Sequence, residues 1–80
     1  MPVSRHTSRY KRFQRMLKSA RKGRGLTQAQ VAKRLGRPQS YVAKYENGER
    51  RLDLIEFLDV ANVLELQPGA FLRRLTQADG

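Results

Sequence analysis

The sequence predicts a single all-α domain built from five short helices. No segment alternates apolar and polar residues in the way that a half-buried strand does. Apolar residues recur instead at helical spacing in five segments, and glycine or proline separates most of these segments. With 80 residues, the chain can form one small domain with a modest core, and a second domain does not fit.

The N-terminal part of the chain is basic and becomes apolar only gradually. Residues 1–8 are poor in apolar side chains, so we predict a flexible basic arm there. A first helix is expected from about Ser8 to Lys22, because apolar residues then follow at helical spacing: Tyr10, Phe13, Leu17 and Ala20. The helical domain is predicted to span residues 9–76, with a frayed tail at residues 77–80.

Clear start and stop signals define the next two helices. Thr27 and Gln30 have the spacing of a capping box, in which each residue's side chain accepts a hydrogen bond from the backbone of the other. Gly36 can take the left-handed conformation that ends a helix. Pro38 suits the first turn of the following helix, about residues 38–46, because its missing amide hydrogen would have had no partner there.

These two helices and their turn, about residues 27–46, have the pattern of a helix-turn-helix. Ala32 is expected where the helices cross, since a larger side chain would push them apart, and Gly36 is needed for the turn. Four larger residues are expected to fix both helices to the core: Val31, Leu35, Val42 and Tyr45.

The C-terminal part supplies two more helices. Asp53 and Glu56 repeat the capping pattern ahead of a very apolar helix, about Leu54 to Leu64, which we expect to be the central element of the core. A last helix is predicted from about Pro68 to Leu75. This region carries more large apolar residues than so short a helix can bury, which predicts a dimerisation surface: Leu66, Phe71, Leu72 and Leu75.

Charge indicates a polyanionic partner. The net charge is +10, and residues 1–51 hold 15 of the 17 Lys and Arg residues but only two acidic residues. Concentrated positive charge of this kind attracts nucleic acid, because each neutralised phosphate releases counterions. A solvated basic surface is the plainer alternative. An anionic membrane fits less well, because the basic residues do not lie opposite one continuous apolar helix face.

Several other classes of function are disfavoured by composition. The chain has no cysteine and a single histidine, His6, so neither a disulfide framework nor a metal site is expected, and no cofactor is predicted. No paired carboxylates are expected on a common cleft, which disfavours an enzyme. No secretory signal or membrane span is evident, and a cytoplasmic, soluble protein is expected.

Three segments, LTQAQVAKRLG, SYVAKYENGER and LIEFLDVANVL, carry a resemblance to a known family. They resemble the Xre family, the phage lambda-repressor and Cro-like helix-turn-helix regulators, and the similarity covers about Phe13 to Leu72. The resemblance implies a five-helix lambda-repressor-like DNA-binding domain that uses no metal or cofactor. It also implies a homodimer on a pseudo-palindromic operator, with the third helix in the major groove of double-stranded DNA.

By position in this resemblance, Gln39, Ser40 and Lys44 are the residues expected to read base edges. Their chemistry agrees, because Gln can bond adenine in a bidentate manner and Lys can donate to guanine. Tyr41 and Tyr45 are expected to pack at the core or its rim rather than to stack on bases.

The resemblance also assigns backbone contacts and one structural pair. Gln28 is expected to bond a phosphate and to brace Gln39. Four further residues are expected to contact phosphate: Arg37, Asn47, Arg50 and Arg51. For each of these the competing interpretation is an ordinary solvated side chain, which is strongest for Arg50 and Arg51. Arg21 and Glu46 are expected to form a partly buried salt bridge.

The sequence therefore predicts a small sequence-specific transcriptional regulator that represses or activates from its operator. The alternative is an antitoxin-type protein-interaction module that binds a toxin and also its own promoter, because many antitoxins resemble this domain.

Overall fold

In the computed structural model, the protein is a bundle of five α-helices. The structure describes the backbone of residues 2–77 and the side chains of residues 8–77. In chain order the helices are α1 (Pro2–Gly23), α2 (Gln28–Leu35), α3 (Gln39–Asn47), α4 (Leu54–Val63) and α5 (Pro68–Gln77). Residues 2–77 contain no strand, and the predicted five-helix all-α fold is confirmed.

The start of the first helix differs from the prediction. The helix α1 begins at Pro2 rather than near Ser8, so residues 2–7 extend the helix upstream. Proline is favoured in the first turn of a helix, and no further glycine or proline interrupts the chain before Gly23. The flexibility of the arm stays a prediction, and residues 78–80 of the predicted tail lie outside the described residues.

Both predicted capping boxes are confirmed. The Thr27 hydroxyl accepts from the backbone N–H of Gln30 at 3.1 Å, and the Gln30 side chain accepts from that of Thr27 at 2.8 Å. The same reciprocal pair joins Asp53 and Glu56, at 2.7 and 3.0 Å. These bonds satisfy amide groups that a helix start otherwise leaves unpaired, and so they determine where α2 and α4 begin.

The core draws on all five helices. Phe13 of α1, Phe57 of α4 and Phe71 of α5 form a ring cluster with centroids 5.5 to 6.0 Å apart. Val31 of α2 and Val42 of α3 are fully buried beside them in the same core. Each such buried side chain contributes on the order of 1.5–3 kcal/mol.

The α4 helix is only partly the core element that was predicted. Phe57, which lies on its inner side, is buried, but Leu54 and Ile55 are 64% and 65% exposed, and Leu58 is 41% exposed. A helix that is apolar on most sides can turn only one of them to the core of so small a domain, and the remaining apolar residues face solvent.

The prediction of a dimerisation surface on α5 is wrong, because most of the residues expected to form it are buried or packed against the core. Phe71 and Leu75 are buried, at 3% and 9% exposure, and Leu66 packs against the core. Only Leu72 of the predicted set is exposed. The helix α5 turns its apolar side inward, so among residues 8–77 the large exposed apolar side chains lie mainly on α4.

Candidate nucleic-acid interface

The inner side of α3 is held firmly against the domain. Gly36 ends α2 in the left-handed conformation, with φ at 70°, and its N–H donates to the carbonyl groups of Ala32 and Lys33. Ala32 is buried, as are Val42 and Tyr45 on α3. The tight turn and the small Ala32 side chain bring α3 close to α2, while the other side of α3 is left to solvent.

Glu46 fixes the C-terminal end of α3 to α1. Arg21 donates from Nε to Oε2 of Glu46 at 2.7 Å and from Nη2 to Oε1 at 3.1 Å. The two side chains are 10% and 3% exposed. Arg21 also donates to the backbone carbonyl of Leu26 at 2.8 Å. The hydrogen bonds to Glu46 raise the pKa of Arg21 against the opposing effect of burial. The structure thus brings together the two residues expected to form a salt bridge.

Gln28 of α2 and Gln39 of α3 extend this group of hydrogen-bonded side chains to the surface. Gln28 Nε2 donates to Glu46 Oε1 at 3.1 Å, and Gln39 Nε2 donates to Gln28 Oε1 at 3.5 Å. The Gln39 side chain is exposed, and its Oε1 and second N–H remain available. One acceptor and one donor on a single amide are the pair that bidentate recognition of adenine requires.

Ser40 and Lys44 are residues of α3, as Gln39 is. Both are exposed and line a shallow surface depression together with Pro38, Tyr41, Glu49 and Arg50. The three residues expected to read bases are therefore all open to solvent, and the part of α3 that they cover is called here the recognition surface: Gln39, Ser40 and Lys44.

Asn47 is engaged within its own turn. Its Oδ1 accepts from the backbone N–H of Glu49 at 3.1 Å, and its Nδ2 donates to the Glu49 carboxylate at 3.0 Å. Gly48 between them has φ at 90°, and a Cβ atom there would lie 2.7 Å from Nε2 of Gln14. Asn47 remains exposed, and the second N–H of its amide is left to contact phosphate.

Two of the arginines expected to contact phosphate lie against the same aromatic ring. The guanidinium carbons of Arg37 and Arg50 lie 4.9 and 4.7 Å from the ring centre of Tyr41. Arg50 also forms an ion pair with Glu56. Hydrogen bonding to Tyr41, and then the nearby Glu56 charge, raise the pKa of Arg50.

Arg51 is placed apart from Arg50. Its guanidinium carbon lies 4.3 Å from the ring centre of Tyr10 on α1, and the Tyr10 hydroxyl accepts from the backbone N–H of Leu52 at 3.0 Å. Arg51, Tyr10 and Leu54 line an open groove of about 460 Å³ between α1 and the start of α4. The structure thus places Arg37 and Arg50 against the same ring, whereas Arg51 lies apart from them.

Two features of this surface were missed in the sequence. The Tyr41 ring under two guanidinium groups was expected only as rim packing, and the Glu49 carboxylate on Asn47 was not expected. An Asn two residues before a backbone donor is a common turn pattern that could have indicated the second. The contact of Tyr41 with Arg50 has no such local signal, because Arg50 lies beyond the end of α3. Only Arg37, four residues before Tyr41, has a local spacing to it.

Metal binding and membrane crossing find no support in the described structure. Within the described residues, no three His, Cys, Asp or Glu side chains are grouped as metal ligands would be. None of the helices, taken over that same part of the chain, has the length and apolar character needed to cross a membrane.

Comparison with known proteins gives a consistent family assignment. The helix-turn-helix family model matches residues 17–71, which is more than half of the chain. A solved structure of an XRE-family like protein from Pseudomonas syringae pv. tomato str. DC3000 is similar over 100% of both chains, with 41% sequence identity and a TM-score of 0.92. No curated protein matches the chain significantly.

Proposed function

This chain belongs to the Xre family of helix-turn-helix DNA-binding transcription regulators, and we propose that it recognises a specific operator sequence. In this proposal α3 enters the major groove, and Gln39, Ser40 and Lys44 contact base edges. The operator is pseudo-palindromic, and the protein binds it as a homodimer in the cytoplasm.

One observation carries the proposal. The recognition surface is exposed and polar, and hydrogen bonds to Glu46 hold the C-terminal end of the same helix in place. Glu46 holds α3 through Arg21 and Gln28, and Gln28 in turn orients Gln39. Base discrimination requires donors and acceptors held in a defined orientation, since a freely rotating side chain accepts several partners. The hydrogen bonds from Glu46 through Gln28 provide that orientation at Gln39.

Contacts to the DNA backbone are proposed for three arginines that flank α3 and for two amide side chains. Five side chains fill this role: Gln28, Arg37, Asn47, Arg50 and Arg51. Such contacts set the position of the protein on the duplex and carry no sequence information. Since each neutralised phosphate releases counterions, we expect the affinity to fall steeply as the salt concentration rises.

Dimerisation is proposed for the exposed apolar surface of α4 and α5, called here the α4 surface: Leu54, Ile55, Leu58 and Leu72. Contiguous exposed apolar side chains mark protein interaction sites more often than isolated ones do. A two-fold pair formed through this surface would present two copies of α3, as a pseudo-palindromic operator requires.

Selection of bound sequences from a random DNA library, at a stated salt concentration, tests the proposal. We expect enrichment of two inverted half-sites with centres about one or more helical turns apart. An unenriched pool, with binding still present, would contradict specific recognition and indicate general DNA coating.

An antitoxin-type function is the second candidate, and the exposed α4 surface favours it because a toxin could cover the same side chains. Co-expression with the product of the adjacent reading frame distinguishes the two. A stable complex that is lost in Ile55→Glu supports the antitoxin function, whereas a homodimer with no such complex supports the regulator.

A further inference from the structure

Tyr41 has an unusual position on the basic side of the domain. Its ring lies within 5 Å of two guanidinium groups, one from Arg37 just before α3 and one from Arg50 just after it. We propose that Tyr41 is a positioning residue that holds Arg37 and Arg50 ready to contact neighbouring phosphates of one DNA strand. This inference rests on the proposed DNA-binding function of the same surface.

The distances set an upper limit on the separation of the two charges. Because both guanidinium carbons lie within 4.9 Å of the same ring centre, they are no farther apart than twice that distance. Phosphates of one strand follow each other every 3.4 Å or so along the duplex axis, and they lie farther apart than this rise because they wind around the outside of the duplex. Two guanidinium groups held this close can therefore engage phosphates that are neighbours on one strand.

The Tyr41 ring is itself held in place. It is half-buried and packs edge to face against Tyr45, with ring centres 5.8 Å apart, and Tyr45 is 1% exposed. Tyr41 thus connects the buried side of α3 to two cations at the surface. A rigid ring is a suitable platform for guanidinium groups, which stack on aromatic faces.

Each arginine has a second restraint besides the ring. The backbone N–H of Arg37 donates to the carbonyl of Ala32 at 3.0 Å, which fixes the point from which the side chain extends. Arg50 is paired with Glu56, whose carboxylate also caps α4. A long side chain that is held before binding loses less conformational freedom when it meets phosphate. Tyr41 therefore contributes to affinity without touching DNA.

Two substitutions at position 41 separate this role from simple packing. Tyr41→Leu keeps an apolar side chain and removes the ring, whereas Tyr41→Phe keeps the ring. The probe is a short duplex of mixed sequence, measured at fixed low salt, with circular dichroism to confirm that each variant is folded. We expect Tyr41→Leu to weaken binding about fivefold, in line with the loss of two guanidinium–ring contacts, and Tyr41→Phe to stay closer to the wild type.

A double-mutant cycle gives the decisive readout. If Tyr41 acts through the arginines, Arg37→Ala and Arg50→Ala each weaken binding less in the Tyr41→Leu background than in the wild type. Additive effects, or equal binding by Tyr41→Leu and the wild type, would overturn the inference. Equal losses in Tyr41→Leu and Tyr41→Phe would also overturn it, because the hydroxyl rather than the ring would then be responsible.

The mixed-sequence duplex keeps this test separate from operator recognition. Phosphate contacts carry no sequence information, so a failed search for an operator leaves the inference standing if the cycle shows coupling. A wild-type protein that binds no duplex at any salt concentration would contradict both the inference and the proposed function.

Discussion

The outward side of α3 carries polar and basic side chains, whereas the outward side of α4 carries Leu54, Ile55 and Leu58. The α3 side is organised by contacts that reach into the core, from Gln39 through Gln28 to the buried Glu46. The α4 side presents apolar side chains instead, and it is bordered by an open, largely apolar groove. Each side of this small domain is therefore suited to a different kind of partner.

The difference shows how a short chain can divide its surface between two tasks. Recognition of a polyanion needs positive charge and oriented donors, and the α3 side supplies both. Recognition of another protein is favoured by apolar surface whose removal from water releases free energy, and the α4 surface supplies such side chains. The two surfaces are therefore expected to respond to different substitutions.

The largest expected effect concerns the buried salt bridge beneath α3. In Glu46→Ala, the charge of Arg21 stays buried without its partner, and we expect the free energy of unfolding to fall by about 3–5 kcal/mol. Urea denaturation measures this change. The matched control is Glu65→Ala, which removes the exposed pair with Arg24 and should cost no more than about 1 kcal/mol. Equal losses would show that Glu46 does not clamp α3.

A smaller effect is expected on the α4 surface. Ile55 is 65% exposed, so Ile55→Glu should leave the stability of the monomer nearly unchanged while it weakens self-association at least tenfold, or about 1.4 kcal/mol. Sedimentation across a range of protein concentrations measures the dimer. A glutamate introduced at an exposed position of α2 is the control. Unchanged self-association in Ile55→Glu would place the dimer interface elsewhere.

The third prediction concerns Tyr45, which lies beneath the α3 side. Burial, reinforced by the nearby Glu46 charge, raises the pKa of Tyr45. The protonated phenol is therefore favoured in the folded state. Its contribution to stability is complete below the unfolded pKa near 10 and is lost as the pH rises above that value.

Tyr45→Phe removes this titration. Above pH 10 we expect the stability of the wild type to fall more steeply than that of Tyr45→Phe, by up to about 1.4 kcal/mol per pH unit. Near neutral pH the variant should be at least as stable, because the Tyr45 hydroxyl is buried without a hydrogen-bond partner among the described residues. Parallel pH profiles of the two proteins would contradict this account.

Local signals in the sequence were sufficient for most of the fold. Thr27 with Gln30 and Asp53 with Glu56 act through neighbouring atoms, so their spacing alone predicts where α2 and α4 begin. The start of α1 was misplaced, since the chain carries no capping signal that distinguishes Ser8 from the residues before it.

Properties that depend on packing were harder to predict. Which side of α4 faces the core depends on where α1 and α5 lie, and a helix apolar on most sides gives no indication of its own. The same holds for Tyr41, because Arg37 and Arg50 are 13 residues apart in the sequence and meet at its ring only in the folded chain. The resemblance to known regulators located Arg21, Glu46 and the two glutamines, but it carried no information on Tyr41.

The central claim is that Gln39 and Lys44 select the sequence, whereas Arg50 contributes affinity alone. The direct test is to measure binding of the wild type and of Gln39→Ala, Lys44→Ala and Arg50→Ala to the selected operator and to single-base variants. We predict that the first two lose about 1–3 kcal/mol of discrimination at particular base pairs, and that Arg50→Ala weakens binding to all the sequences alike. Unchanged selectivity in Gln39→Ala and Lys44→Ala, with selectivity lost in Arg50→Ala, would contradict the account.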